Sequence, residues 1–331
     1  MNSSAREDWV KMRKTSKPKM KVREILSFVF PDGRVAEAIG IRNALGEYDP
    51  ALLILGPEGF RVEREIMVGD TMFRGMDPRA YPYESYVIED LENVKSRAEL
   101  VNEIYAEVKR FVDANPKERA IITAYILLSY CPEFFSRIPC LYLYGEGPCG
   151  KTHTLWLLAY LCYRPLYGIN LRADDIYFYL GPEGENPSMT ILEDEFQDSS
   201  RKRKKMIIYK AGCARSCVAR VMGNNVISFS IFGPKVIASE RLVRNKDLLA
   251  WCIKIWMVEG TPEKDHYDRE DEARFAKLRA ELLKWRMAVL AGREKLPELE
   301  LEWWKKPDGD LFLPLLTVLE DTPLFGVLEN D

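Results

Sequence analysis

The octapeptide Gly145-Glu146-Gly147-Pro148-Cys149-Gly150-Lys151-Thr152 constrains this chain more than any other stretch. It fits G-x-x-x-x-G-K-[S/T] at every fixed position. Glycines reach backbone conformations closed to other residues, so a loop rich in them can curl tightly. A curled backbone turns its N–H groups toward one point. Such a loop has to be held between a strand and a helix. Leu141–Tyr144 is a short apolar run that suits a buried strand, and Thr154–Tyr163 is apolar at helical spacing. Residues 140–258 continue the alternation, which predicts an α/β core.

The residue types explain the chemistry. The N–H groups and the positive end of the following helix attract a phosphate. Lys151 supplies a full charge for β- and γ-phosphates, and the Thr152 hydroxyl suits Mg²⁺. Gly145, Glu146, Gly147, Pro148, Cys149, Gly150, Lys151 and Thr152 are therefore candidate ATP-binding residues. His153 follows directly and is counted with them, its ring read as structural. Cys149 is needed only for its backbone.

A phosphate loop needs an acid at the end of a neighbouring strand. Met189–Glu195 supplies an apolar strand that ends in Glu193-Asp194-Glu195. Two registers are open. Either Asp194 serves Mg²⁺ and Glu195 polarises the attacking water, or Glu193 and Asp194 take those roles. A further strand, Lys235–Ser239, ends in a serine that suits either a γ-phosphate contact or a plain strand end.

Composition limits the alternatives. Lys+Arg is 48 against Asp+Glu of 51, a net charge of −3, which excludes a generically basic nucleic-acid coat. With two histidines, His153 and His266, a His-rich zinc site or a Ser/His/Asp triad has almost no material. Seven scattered cysteines without a CxxC read as small buried hydrophobes in a reducing cytoplasm. No apolar run reaches the ~18 residues of a membrane span, and no apolar segment adjoins the basic N-terminus as in a signal peptide. Gln197 is the single glutamine, a bias shared with thermophile proteins.

The length of 331 residues suits about two domains. Residues 1–24, with eight Lys/Arg against three acids, read as a basic flexible arm. Residues 25–94 carry strand-like runs around Pro31-Asp32-Gly33 and Gly56-Pro57-Glu58-Gly59, and read as a small β-rich accessory domain. Residues 95–260 hold the core with its leading helices, the first opened by a Ser96/Glu99 capping box. Residues 261–331 read as a helical C-terminal region whose long helix starts at Thr261-Pro262.

Nucleic-acid contact must use local patches. The candidates are Arg201, Lys202, Arg203, Lys204 and Lys205, just after the acids, and Arg220 and Asn224. The last two belong to a hairpin around Met222-Gly223-Asn224-Asn225.

Residues from about 99 to 260 resemble the AAA+-type P-loop ATPase domains of helicase and primase-helicase proteins on mobile elements. The landmarks run in order: Ile121–Tyr130 with Phe134–Tyr142, the glycine loop, Thr190–Glu195, Lys210–Arg215, Val218-Ala219-Arg220, Phe232–Ala238 and Cys252–Ile255, with Leu311–Leu316 downstream. The resemblance implies the Asp194/Glu195 register, ATP and Mg²⁺ as cofactors, DNA as partner, a homo-oligomeric ring and a pore hairpin at about 218–229. One departure stands out. The family has an arginine just before the Cys-Ile pair, whereas this chain has Trp251. Arg241 or Arg244 are the candidate replacements. The function expected is Mg²⁺-dependent ATP hydrolysis coupled to nucleic-acid remodelling or translocation. The alternatives are an ATP-binding switch with weak hydrolysis, a small-molecule kinase or a packaging motor.

Overall fold

The structure is a computed structural model that describes residues 21–42, 44–45, 47–76, 86, 88, 90–180, 189–197, 203–299 and 309–329. Residues 1–20 of the expected basic arm lie outside the described residues. Residues 21–24 belong to a paired strand instead of an arm.

The N-terminal part of the described residues is built of strands. Its strands are β1 (Lys21–Ile25), β2 (Ser27–Val29), β3 (Val35–Arg42), β4 (Tyr48–Gly56), β5 (Gly59–Glu63), β6 (Glu65–Val68) and β7 (Thr71–Gly75). β2 to β5 form an antiparallel meander, and β1, β7 and β6 form a second sheet in which β1 runs parallel to β7. Gly33 takes φ +84° in the β2–β3 turn, a conformation that favours glycine.

Two helices follow, α1 (Arg97–Phe111) and α2 (Pro116–Ser129). Both open with a capping box, Ser96 with Glu99 and Asn115 with Glu118. Pro116 therefore starts α2 at its first turn, where its missing N–H costs nothing.

The core contains β8 (Cys140–Tyr144), α3 (Lys151–Leu161), β9 (Pro165–Ile169), α4 (Ala173–Leu180), β10 (Thr190–Asp194) and α5 (Arg203–Ala211). It continues with β11 (Cys217–Met222), β12 (Asn225–Ser230), β13 (Lys235–Ser239), α6 (Lys246–Leu249) and β14 (Cys252–Trp256). Five of these strands form a wholly parallel sheet in the order β14-β8-β13-β10-β9. β11 and β12 stand apart as an antiparallel hairpin. Alternation along each strand feeds both faces. Leu141, Leu143, Val236 and Ala238 pack with α1, α2 and α3 on one side, whereas Tyr142, Ile191 and Ile237 meet α4 and α5 on the other. The carboxyl ends of β8, β10 and β13 lie side by side, the place where open α/β sheets bind ligands.

The C-terminal region holds α7 (Arg269–Leu290), α8 (Gly309–Leu319) and α9 (Phe325–Glu329). α7 starts eight residues later than Thr261. Asp268 is its N-cap and forms the capping box with Asp271. Residues 261–268 are instead tied down by side chains: Thr261 N–H donates to Asp113 (2.8 Å), and Lys264 Nζ donates to Asp268 and Asp271.

The β-rich part is not packed as a separate unit. Val35, Ile39, Leu53 and Leu55 share one continuous core with α1, α2 and α7. Glu37 on β3 is fully buried and ion-paired to Arg164, just before β9, and to Arg286 on α7. No helix among the described residues is long and apolar enough to cross a membrane.

Candidate functional site

The glycine loop joins β8 to α3. Gly147 (φ +64°) and Gly150 (φ +82°) both take left-handed conformations. Gly145 is fixed by proximity: a Cβ there would lie 2.1 Å from the Met257 carbonyl oxygen and 2.7 Å from Cys149 Sγ. Glu146, Gly147 and Pro148 form the exposed tip, and Cys149 is buried beneath it. Thr154 N–H donates to the Gly150 carbonyl (2.9 Å), so the N–H groups of Lys151, Thr152 and His153 occupy the first turn, where a helix has no acceptors of its own.

Lys151 Nζ curls back over the loop. It donates to the carbonyls of Gly145 (2.6 Å) and Gly147 (3.0 Å) and touches Cys149 Sγ (3.1 Å). A single ammonium thus sits above the curled backbone. The His153 ring stacks on Tyr267 (4.6 Å between centroids, 20° between planes), and the Tyr267 hydroxyl donates to the His153 carbonyl (2.9 Å). Burial lowers the His153 pKa. Its side chain serves packing, leaving only its backbone to the loop.

The three acids are separated by strand geometry. Successive residues of a strand face opposite sides of the sheet. Asp194 faces α3, where the Thr152 hydroxyl donates to its Oδ2 (2.7 Å). Glu193 faces the other way and is fully buried against Lys205 Nζ and the Tyr209 hydroxyl (2.6 Å). Glu195 is exposed at the strand end with φ +50°, and its N–H donates to Asp194 Oδ1 (2.9 Å). That left-handed turn follows from its neighbours. Asp194 is held in the sheet and Phe196 is buried with its N–H on the Ala238 carbonyl (2.8 Å), so Glu195 absorbs the bend. Asp194 and Thr152 together offer hard oxygen donors beside the ammonium of Lys151, a set that suits Mg²⁺ held by one carboxylate, a hydroxyl and ligand phosphates.

Two contacts lay outside the sequence reading. The Tyr167 hydroxyl on β9 stands 3.5 Å from Asp194 Oδ2. Lys235 is wholly buried, with its ammonium on the carbonyls of Gly212 and Gly233 (2.8 Å each), and burial pushes its pKa down to about 8. A lysine straight after Gly-Pro at the start of an apolar strand was the available signal for the second.

Ser239 is buried at the end of β13. Its hydroxyl donates to the Arg241 carbonyl (2.7 Å) and bonds the Tyr142 hydroxyl (2.6 Å). Arg241 and Arg244 are exposed, and Arg137 lies over the Trp251 ring at 5.5 Å.

The basic candidates divide. Arg201 and Lys202 lie outside the described residues, as does the side chain of Arg203, which opens α5. Lys204 is exposed. Lys205 is not a surface cation: the α5 helical turn carries it inward to neutralise Glu193. Arg220 is engaged within the chain, paired with Asp174 (2.7 Å) and stacked over Tyr177 at 4.3 Å. Asn224 is exposed at the hairpin tip, beside Val221 and Val226, which are 76% and 71% exposed.

No protein-family model matches the chain, and no curated protein does. Among solved structures it is similar to the active helicase Cch of SCCmec type IV, with 12% identity and a TM-score of 0.46 over 99% of this chain and 60% of that one. It is also similar to the A-form apo structure of the NrS-1 C-terminal region, with 13% identity and a TM-score of 0.37 over 76% of this chain and 58% of that one. The chain thus spans about three fifths of each.

Proposed function

We propose that this chain is a Mg²⁺-dependent, AAA+-like P-loop ATPase that couples ATP hydrolysis to remodelling of, or movement along, nucleic acid, with DNA as the first candidate. The observation that carries the reading is the 2.7 Å bond between Thr152 and Asp194, which joins the glycine loop to the acid strand. Two segments 42 residues apart supply complementary parts of one site. Mg²⁺, when bound, neutralises charge on the β- and γ-phosphates. Lys151 and the first N–H groups of α3 bind the phosphates, and Thr152 and Asp194 orient the metal. The exposed Glu195 carboxylate holds and polarises the attacking water. Asn224 and Lys204 are the candidate nucleic-acid contacts, joined by Arg220 if it exchanges Asp174 for a phosphate. The chain works as a homo-oligomer in this reading.

Trp251 favours a second reading, a nucleotide switch with weak hydrolysis, because the resembling family carries an arginine there. ATP turnover with and without single-stranded DNA separates the two. Lys151→Ala is expected to cut turnover by about 10²–10³-fold, the scale of losing one preorganised transition-state donor. Turnover that survives this substitution sinks the assignment. Tight ATP binding without turnover selects the switch, and phosphoryl transfer to an acceptor other than water selects a kinase.

A further inference from the structure

Tyr142 lies on β8, three residues before Gly145, and is fully buried. Its hydroxyl meets three partners from one turn. It stands 2.6 Å from Ser239 Oγ and 3.0 Å from the Arg241 carbonyl, and it accepts the Val243 N–H at 3.0 Å. The Ser239 hydroxyl donates to the same Arg241 carbonyl at 2.7 Å. One phenol therefore closes the turn that leads out of β13. That turn displays Arg241, which lines a cleft of about 550 Å³ at the mouth of the glycine loop with Tyr144, Gly145, Glu146 and Trp256.

The hydrogens can be followed. Each hydroxyl carries one proton. With the Ser239 proton on the Arg241 carbonyl, the Tyr142 proton serves Ser239 Oγ. If Ser239 turns its proton to a phosphate oxygen, the Tyr142 proton is already within reach of the Arg241 carbonyl. The carbonyl then keeps a donor in both arrangements.

We propose that Tyr142 is a positioning residue: its hydroxyl holds the Ser239–Val243 turn against the P-loop strand and, by taking over the Arg241 carbonyl, frees Ser239 to face a γ-phosphate. This rests on the ATPase reading of the glycine loop. It makes the placement of Ser239 and Arg241 depend on a group that touches neither nucleotide nor metal.

Tyr142→Phe keeps the ring and removes only the hydroxyl. The Val243 N–H loses its acceptor, and Ser239 is left as the hydroxyl donor to the Arg241 carbonyl. The variant is expected to bind a fluorescent ATP analogue within about twofold of the parent. Its kcat is expected to fall about tenfold at unchanged KM, the scale of one stranded buried hydrogen-bonding group. Hydrogen exchange at the Val243 amide should speed up by a similar factor. Adding Ser239→Ala to this variant should cost little more, because the two hydroxyls act through one arrangement. Unchanged kcat, unchanged Val243 exchange, or a raised KM at constant kcat each overturn the proposal. A parent chain that binds ATP but does not hydrolyse it defeats the ATPase reading instead. Val243 exchange in Tyr142→Phe compared with the parent, both with ATP bound, then decides this proposal, and equal exchange in the two overturns it.

Discussion

Asp194 shows at the scale of one residue how the site is placed. Its carboxylate receives the Thr152 hydroxyl on one oxygen and the Glu195 N–H on the other. The acid triplet itself was plain in the sequence, but its register was open, because the face of the strand that meets α3 depends on packing and not on spacing. The two-residue period separates the roles. Glu193→Gln removes a buried partner from Lys205 and is expected to cost about 3–5 kcal/mol of stability, read as a lower denaturation midpoint. Turnover per folded molecule should hold. Glu195→Gln touches an exposed side chain and should leave stability and ATP binding unchanged while lowering turnover by about 100-fold. Parent-like turnover in Glu195→Gln contradicts the assignment of the water-polarising role.

Among the elements, the β11–β12 hairpin stands apart from the parallel sheet. Its turn was legible because Gly223 occupies the first central position and takes φ +61°, the pattern of a type II′ connection. Its use was less legible. Arg220 is engaged by Asp174 and Tyr177 on α4, which no local pattern announces. The exposed Val221–Val226 pair near the tip is an apolar surface next to Asn224. Gly223→Val forces a β-branched residue into the left-handed region, at a cost of about 1–3 kcal/mol. ATP turnover without DNA should persist in this variant, and any stimulation by single-stranded DNA should fall. Undiminished stimulation removes the hairpin from the DNA path. The start of α7 was misread for a related reason. Thr261-Pro262 has the chemistry of a helix start, but the contacts of Thr261 with Asp113 and of Lys264 with Asp268 and Asp271 hold residues 261–268 outside the helix. Asp268 then caps it.

At the scale of the whole molecule, the β-rich part, the parallel sheet and α7 are joined by one buried charge cluster. Glu37 accepts from Arg164 and Arg286, and also from the Ser27 (2.7 Å) and Tyr163 (2.8 Å) hydroxyls. The sequence showed an acid inside an apolar strand and an arginine between Trp285 and Met287, but nothing in it pairs residues about 250 positions apart. Burial pushes the Glu37 carboxyl up, and the guanidinium groups of Arg286 and Arg164 outweigh it, so its pKa is lowered overall. The stability from its ionised form is present above about pH 4.5 and is lost as pH falls through the depressed folded-state value. Glu37→Gln should destabilise the whole chain in one transition and flatten that acid limb, measured by thermal denaturation from pH 7 to pH 3. A parent-like acid limb in the variant contradicts this. A separate low-temperature transition for residues 21–76 alone would show that the β-rich part folds independently. The glycine loop and Asp194 together make the site. The most direct measurement is ATP turnover by the purified chain with and without Mg²⁺, in parent, Lys151→Ala and Asp194→Asn forms. Mg²⁺-dependent turnover is expected in the parent, with near-complete loss in both variants. Equal turnover in all three, or turnover indifferent to Mg²⁺, contradicts the ATPase reading.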